Sequence, residues 1–469
     1  MSHSFKLLLS VLLFIMIRPM GPIQAQDTFT LLKSDTTTST FKKKPWYIPL
    51  AEVTAVNVLV NRFDVYYLKA DWAKISLSSW KTNLKRGFAP DGDAFINNFF
   101  MHPVHGSMYF NTARSAGYNF WASSAYTLTG SLMWEFLGET YAASEIDVNT
   151  TLQGGMFLGE VTHRLSKALL RDNQVRPHKF FRNAAATVLN PMGQINRWMY
   201  DDVRESFMSD DEPAIPIRSQ LSFGLTIPTV EFDRVDALAS AYVYYAMLYG
   251  DIFDTSDGFR PFDSFVLRSW VDFGASAAPK VFYLNITSRA PLYTKRITDN
   301  SIFSISQHYD YLDNQAFTIG VTGLTLDYTL RQNYKSWGFV GSINAGIIPF
   351  GSSSSTVLDE INTGETDINR EYVYGRGLLG KFEYMIYHKS FGRLTVTTNQ
   401  WYINTENFVE GTELSAINQV NYYFPIKPGL DVGISALNYD RTASYQDIEG
   451  FEDINESYNE IKLHVTKTF

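Results

Sequence analysis

The chain has 469 residues, 40 Lys and Arg against 48 Asp and Glu, no Cys, and 34 Phe, 28 Tyr and 9 Trp. The length permits two or three domains with an ample core. The missing cysteines exclude a disulfide scaffold, a Cys-ligated zinc site and a thiol nucleophile. The acidic balance argues against a general nucleic-acid binder, and an ordinary apolar content of 45% argues against a polytopic helical membrane protein.

In chain order, Lys6 is followed by an uncharged run over 7–17, apolar apart from Ser10, and then by Arg18, Pro19, Gly21, Pro22 and Ala25. That order predicts a secretory signal peptide over 1–25, cleaved before Gln26. The run is too short to cross a bilayer comfortably as a helix. No Cys follows it, so lipoprotein attachment is excluded. Cleavage leaves 38 basic and 48 acidic residues. Residues 26–49 are rich in Thr, Ser and Lys and read as a mobile lead-in.

Residues 50–205 read as a helical domain. Val53, Val56, Leu59, Val60 and Phe63 fall on one face of a helix over 51–67. Further helices are expected over 108–114, 120–138, 151–169 and 181–200, with Gly106, Gly117 and Pro177 as breakers and Pro191 as a kink. Asp147 or Asn149 is expected to cap the 151–169 helix. An acidic linker, 206–214, closes the domain.

From 215 the apolar period changes to two, as in Leu221, Phe223, Leu225 and Ile227. About twelve strands are expected: 217–227, 236–250, 262–274, 280–290, 301–311, 315–331, 335–349, 371–388, 391–405, 412–425, 429–441 and 456–469. A parity switch at Gly323 predicts a β-bulge. The last strand alternates down to Phe469, which resembles the terminal strand signal of outer-membrane barrels. Long connections alternate with tight turns, and aromatics stand near strand ends at Trp401 and Tyr402, Tyr422–Phe424, Tyr372 and Tyr374, and Tyr242–Tyr245. These features favour a transmembrane barrel over a soluble sandwich. Residues 26–213 hold 19 basic and 19 acidic residues and residues 214–469 hold 19 and 29, so the acidic surplus lies in the barrel half. Much of it falls in two expected loops, one with Asp359, Glu360, Glu365 and Asp367, the other with Asp447, Glu449, Glu452, Asp453 and Glu456. These read as solvated loop surface, with a cation-selective vestibule or divalent-ion site as the alternative.

Any chemistry is expected between 91 and 200. Thr127, Ser131, Glu135 and Glu139 recur every four residues on an apolar helix and should share a stripe. Glu160, His163 and Arg164 lie on one side of the next helix. The candidate acid–base residues are His102, Glu135, Glu139, Asp147 and Glu160, within a polar set that includes Asp91, Asp93, Asn98, Arg114, His163 and Arg164. Three readings stand. Glu135 and Glu139 could pair with Arg114 and Arg164 as buried ion pairs. A carboxylate and a His could form an acid–base site. Glu160-x-x-His163 could be half of a two-metal site, with Glu135, His102 and His105 completing it, although a second Glu-x-x-His is missing. Gly154, Gly155 and Gly159 read as a helix-packing seam. No nucleophile elbow, His-Glu-x-x-His or phosphate loop occurs, and no cofactor is expected.

The series Asp91-x-Asp93-x-Phe95-x2-Asn98-x3-His102-Pro103-x2-Gly106-x2-Tyr109, continued by Arg114, Gly117, Gly130-Ser131, Trp134-Glu135-x2-Gly138-Glu139, Ser144, Asp147, Thr151, Gly154-Gly155, Gly159-Glu160 and Arg164, resembles the bacterial domain of unknown function 3943 over about 85–200. Ala143 stands where the family pattern has Pro. The resemblance implies an exported Gram-negative envelope protein and assigns no catalytic residue. The expectation is therefore an α+β chain. A helical domain at the periplasmic mouth, or partly within the membrane, precedes an antiparallel outer-membrane barrel of about twelve strands. Its role is transport or envelope structure. The alternative is a membrane-embedded enzyme acting on a lipid or cell-wall substrate. Outer-membrane lipid and an envelope protein are the expected partners.

Overall fold

The computed structural model describes residues 42–89, 94–171, 178–208, 215–229, 240–254, 258–273, 282–354, 372–406, 410–445 and 453–469. The expected signal peptide, most of the lead-in, Asp91 and Asp93, Pro177 and most of the acidic loop residues lie outside them. The chain divides into two compact units, one holding the helices and the other the strands.

The helical unit comprises α1 (Tyr47–Phe63), α2 (Leu77–Arg86), α3 (His102–Ser115), α4 (Phe120–Met133), α5 (Glu145–Leu170), α6 (Lys179–Leu189), α7 (Pro191–Met199) and α8 (Asp201–Met208). Single π turns follow α1 and α4 and precede α3. None of the described helices is long and apolar enough to cross a membrane. Several boundaries differ from expectation for local reasons. Pro103 sits in the first turn of α3, where its missing N–H costs nothing, so His102 and His105 lie inside the helix. Ser144, not Asp147 or Asn149, caps α5, accepting from Asp147 N at 3.2 Å. Pro191 starts α7 instead of kinking a longer helix, with the Asn190 side chain as the cap. Residues 206–208 continue α8 rather than opening a linker. α2, short and largely polar, was not expected, although Leu77, Trp80 and Leu84 stand at helical spacing along it.

Gly106 does not break a helix. It forms a close crossing of α3 over α5. A Cβ added there would lie 2.0 Å from the Thr151 carbonyl oxygen, and one at Gly155 would lie 2.6 Å from Gly106 Cα. Gly154 and Gly159 meet Pro103 and Phe110 as closely. These glycines form the packing seam that their spacing suggested, and they hold α3 against the middle turns of α5.

The other unit is a closed antiparallel barrel of β1 (Ile217–Pro228), β2 (Ser240–Tyr249), β3 (Phe265–Phe273), β4 (Phe282–Thr298), β5 (Ser301–Asp313), β6 (Thr318–Tyr334), β7 (Trp337–Ser354), β8 (Tyr372–His388), β9 (Gly392–Thr405), β10 (Gly411–Lys427), β11 (Leu430–Tyr445) and β12 (Ile454–Thr468). Each strand pairs with its neighbours in sequence, and β12 closes on β1 from Gln220↔Thr468 to Pro228↔Glu460. The expected bulge at Gly323 is present as a register shift between Thr322 and Leu324. Glu456, expected in a loop, lies in β12.

Burial in the barrel is inverted relative to a soluble protein. On β1, Phe223, Leu225 and Ile227 are 50%, 52% and 40% exposed, while Ser222 and Thr226 are 1% exposed. Leu463 and Val465 on β12 and Val432 and Ile434 on β11 likewise face out, while Lys462, His464 and Ser435 are buried. An apolar outer wall around a polar interior is the pattern of a barrel that crosses a membrane. The interior is not polar throughout. Trp270, Phe317, Ile319, Val321, Trp401 and Tyr439 belong to one buried cluster fed by β3, by every strand from β5 to β12 and by the β5–β6 connection. Those strands lie on opposite sides of the barrel, so the cluster packs across the lumen. This corrects the aromatic-girdle reading in part. Trp401 is fully buried in the interior, and Tyr242, Tyr372, Tyr374 and Tyr423 are buried too, whereas Tyr402, Tyr422 and Phe424 are exposed.

The α3–α5 crossing predicts that Gly155→Leu, by forcing two backbones apart, destabilises the helical unit by about 1–3 kcal/mol or more. Thermal unfolding followed by helical circular dichroism should show a lowered midpoint for Gly155→Leu and a smaller loss for Gly155→Ala.

Candidate functional site

Three side chains from three elements converge in the helical unit. His102 comes from the first turn of α3, Glu135 from the π turn that ends α4, and Asp147 from the first turn of α5. One ligand atom from each lies within 4.8 Å of the others. His102 Nε2 is 3.6 Å from Asp147 Oδ2, and its Nδ1 is 3.0 Å from Thr151 Oγ1. Ser144 N donates to Glu135 Oε2 at 2.8 Å, so the residue that caps α5 also holds the Glu135 carboxylate. Glu135 is fully buried and Asp147 nearly so. One imidazole and two carboxylates can hold a divalent cation of the Zn or Mn type, or pass a proton between imidazole and carboxylate.

Glu160 is not part of this group. It is fully buried and accepts from Arg114 Nε and Nη2 at 2.7 and 3.1 Å and from Arg164 Nε at 2.7 Å. Burial alone would raise its pKa, but the two guanidiniums hold it below the usual carboxylate range. Arg114 and Arg164, expected beside Glu135 and Glu139, thus form ion pairs with Glu160. Glu160 and His163 are not half of a two-metal site either. Glu160 is engaged by two arginines, and the His163 ring packs edge-on against Phe207 at 5.2 Å. Burial, with Arg114 beside it, keeps His163 neutral, its pKa well below the usual value.

His105 also stands apart. Its Nε2 is 2.8 Å from the Tyr109 hydroxyl, which in turn donates to Asn57 Oδ1. That hydroxyl has one proton, so Nε2–H of a neutral imidazole must donate to it. Burial, and then the charge of His102, lower the His105 pKa to about 3. Glu139 leaves the stripe of Thr127, Ser131 and Glu135 because the π turn adds a residue and Glu139 itself is extended. Asn98 is buried in the π turn before α3. The proximity of Asp147 and Thr151 to His102 was hidden in the sequence, because the family-like Gly series that creates it carries no chemistry of its own.

A second polar site lies inside the barrel. A cavity of about 390 Å³ is bordered by Arg218, Arg268, Arg289, Arg331, Lys381 and Arg393, against two carboxylates, Asp251 and Glu383. Arg268 Nη2 meets both Glu383 oxygens at 2.6 Å, from β3 across to β8. Arg331 meets Asp251 at 2.6 Å, and Lys381 meets Asp310 at 2.7 Å. Trp401 Nε1 donates to Asp310 at 2.9 Å, joining this layer to the apolar cluster. The sequence reading passed over these charges. Their signal was parity, since Arg268, Lys381, Glu383 and Arg393 occupy the polar phase of their strands.

Residues 87–192 match the family model described as a domain of unknown function (DUF3943), as the residue pattern suggested for about 85–200. No curated protein matches the sequence. Among solved structures the chain is similar to a refined porin at 6% identity, covering 54% of this chain and 100% of that one with a TM-score of 0.20. It is also similar to the outer membrane channel DcaP of Acinetobacter baumannii at 8% identity, covering 54% and 97% with a TM-score of 0.21. A third is Salmonella typhi OmpF in complex with daunomycin, at 9% identity, covering 54% and 97% with a TM-score of 0.19. The barrel assignment rests on the strand pairing itself.

Two carboxylates of the helical unit should respond to pH in opposite senses. Glu160 is held low, so its stabilisation is present above the unfolded value near 4.5 and is lost as pH falls below it. Glu160→Gln takes the carboxylate from a buried and a partly buried guanidinium and should cost about 3 kcal/mol at neutral pH. Glu52 receives Asn196 Nδ2 at 3.1 Å, but burial raises its pKa from about 4.5 to about 7. The folded state keeps that proton between those values and the unfolded state does not, so stability falls as pH rises through the window. Glu52→Gln should therefore gain up to about 3 kcal/mol at pH ~8 and almost nothing at pH ~4. Denaturant unfolding of both variants across that range measures this.

Proposed function

We propose that the protein is an outer-membrane barrel of a Gram-negative envelope, exported through a cleaved signal peptide. It carries a helical domain that is periplasmic or membrane-associated. The observation that carries this reading is the closed, even-numbered antiparallel barrel with an apolar exposed wall and a polar interior. Its partners are outer-membrane lipid and an envelope protein, not nucleic acid. The buried cluster that spans the lumen favours an envelope-structural role or gated transport over an open diffusion pore. The protein should partition with outer membranes and migrate faster unheated than boiled, and recovery as a soluble periplasmic protein would overturn the reading. In planar bilayers the full-length chain should show little steady conductance, and Trp401→Ala should raise it. A large constant conductance of the unsubstituted protein would rule out the sealed lumen.

A second reading, an enzyme acting on a lipid or cell-wall substrate, is favoured by the convergence of His102, Glu135 and Asp147. On this reading His102→Ala and Glu135→Gln change the lipid or muropeptide profile of the envelope at unaltered protein level. A fall in protein level or thermal stability alone assigns the three to structure.

A further inference from the structure

The barrel half has an acidic surplus in sequence, yet six of the eight charged residues that border the cavity in its lumen are cations. Most of these have anionic partners within the wall. Arg268 is held by Glu383, Arg331 by Asp251 and Lys381 by Asp310. Arg289 and Arg393 differ. Arg289 Nη1 donates to Ser342 Oγ and, at 3.3 Å, to Asn344 Oδ1. Arg393 Nη2 donates to Gln220 Oε1 at 2.5 Å, and its guanidinium lies 4.2 Å from the centre of the Tyr423 ring. Among the described residues neither forms an ion pair. Both are held in place by neutral groups with N–H donors to spare, a preorganised arrangement for planar or tetrahedral oxyanions.

Apolar residues border the cavity as well, Met247, Phe265 and Val266 from β2 and β3 and Val340 and Met385 from β7 and β8. Trp270 and Ile417 border the cavity and also belong to the apolar cluster across the lumen. Asp251, Ile252 and Phe253, from the β2–β3 connection, border it as well, with Arg331 over the Phe253 ring at 4.2 Å. A chamber of this size suits a small organic molecule.

We propose that the lumen chamber binds an amphiphilic oxyanion, a phosphate or carboxylate group with an apolar portion, with Arg289 and Arg393 taking the anionic head. A guanidinium held only by neutral hydrogen-bond partners in a chamber of reduced dielectric gains more from an added anion than one already in an ion pair. Binding should weaken as ionic strength rises.

The test uses the full-length protein folded in a neutral detergent, with folding checked by heat-modifiable migration. Calorimetric titration with hexyl phosphate, inorganic phosphate and hexyltrimethylammonium compares head charge and tail. The expected order is hexyl phosphate over inorganic phosphate, with no binding of the cation. Arg393→Gln and Arg289→Gln should each weaken hexyl phosphate by about tenfold or more, and Arg393→Lys should retain part of the affinity. A titration with long-chain phosphatidic acid in mixed micelles separates the sources: tighter binding than hexyl phosphate assigns the chamber to a lipid head group, and weaker binding to a soluble anion. Equal uptake of the cation, or hexyl phosphate affinity unchanged in folded Arg289→Gln and Arg393→Gln, overturns the proposal. Should Arg289→Gln not fold, Arg393→Gln and Arg393→Lys decide alone.

Discussion

A strand placed in hydrocarbon has no water to satisfy its backbone, so every N–H and C=O must find a partner in the sheet. The pairing of β12 with β1 meets that demand by removing both edges, and the rest of the barrel follows from it. Closure divides each strand into an outward and an inward phase. The outward phase is filled with Phe, Leu, Ile and Val, and the polar residues that a soluble protein would show to water are turned inward. The same rule explains the register shift at Gly323. Ile319 and Val321 before it point into the apolar cluster, and Leu324, Leu326 and Leu330 after it point outward.

The inward phase then faces its own constraint. Charges enclosed by a narrow wall are costly unless paired, and the pairs reach across the lumen as well as along it. Lys462 lies between Asp272 of β3, at 2.5 Å, and Glu460 beside it on β12, at 3.0 Å. Arg441 pairs with Glu413 at 3.3 Å. The helical unit meets a similar problem on a smaller scale, with one carboxylate, Glu160, held between two arginines. In both units, polar groups that look chemical in the sequence are first of all answers to burial. His102, Glu135 and Asp147 differ because they come from three separate elements and gather acidic and basic groups without forming a simple pair.

Much of the barrel could be read from the chain, because period two survives in every strand and turns interrupt it at regular intervals. The twelve expected segments correspond one for one to the twelve strands. What periodicity could not tell was which phase faced the lumen where the inward residues are themselves apolar, as at Trp401 and Ile403 of β9. In the helical unit the stripe through Thr127, Ser131 and Glu135 was legible, but the π turn that removes Glu139 from it was not, since a one-residue insertion leaves no compositional mark. The partners of Glu160 were hidden for a different reason. Arg164 is one helical turn away, but Arg114 arrives through a helix crossing set by glycines, and glycines do not reveal which side chains they bring together.

The closing contact also governs when the barrel can form. The hydroxyls of Ser222 and Thr466 meet at 2.8 Å although 244 positions separate them, and Phe469 N and Ser219 N each donate to the other's carbonyl. No portion that lacks β1 or β12 can complete the ring, because the first strand waits for the last. Contacts so distant in sequence are slow to form and leave strand edges open meanwhile. Closure therefore follows the synthesis of β12, and until that strand arrives the chain must be kept from pairing with its neighbours.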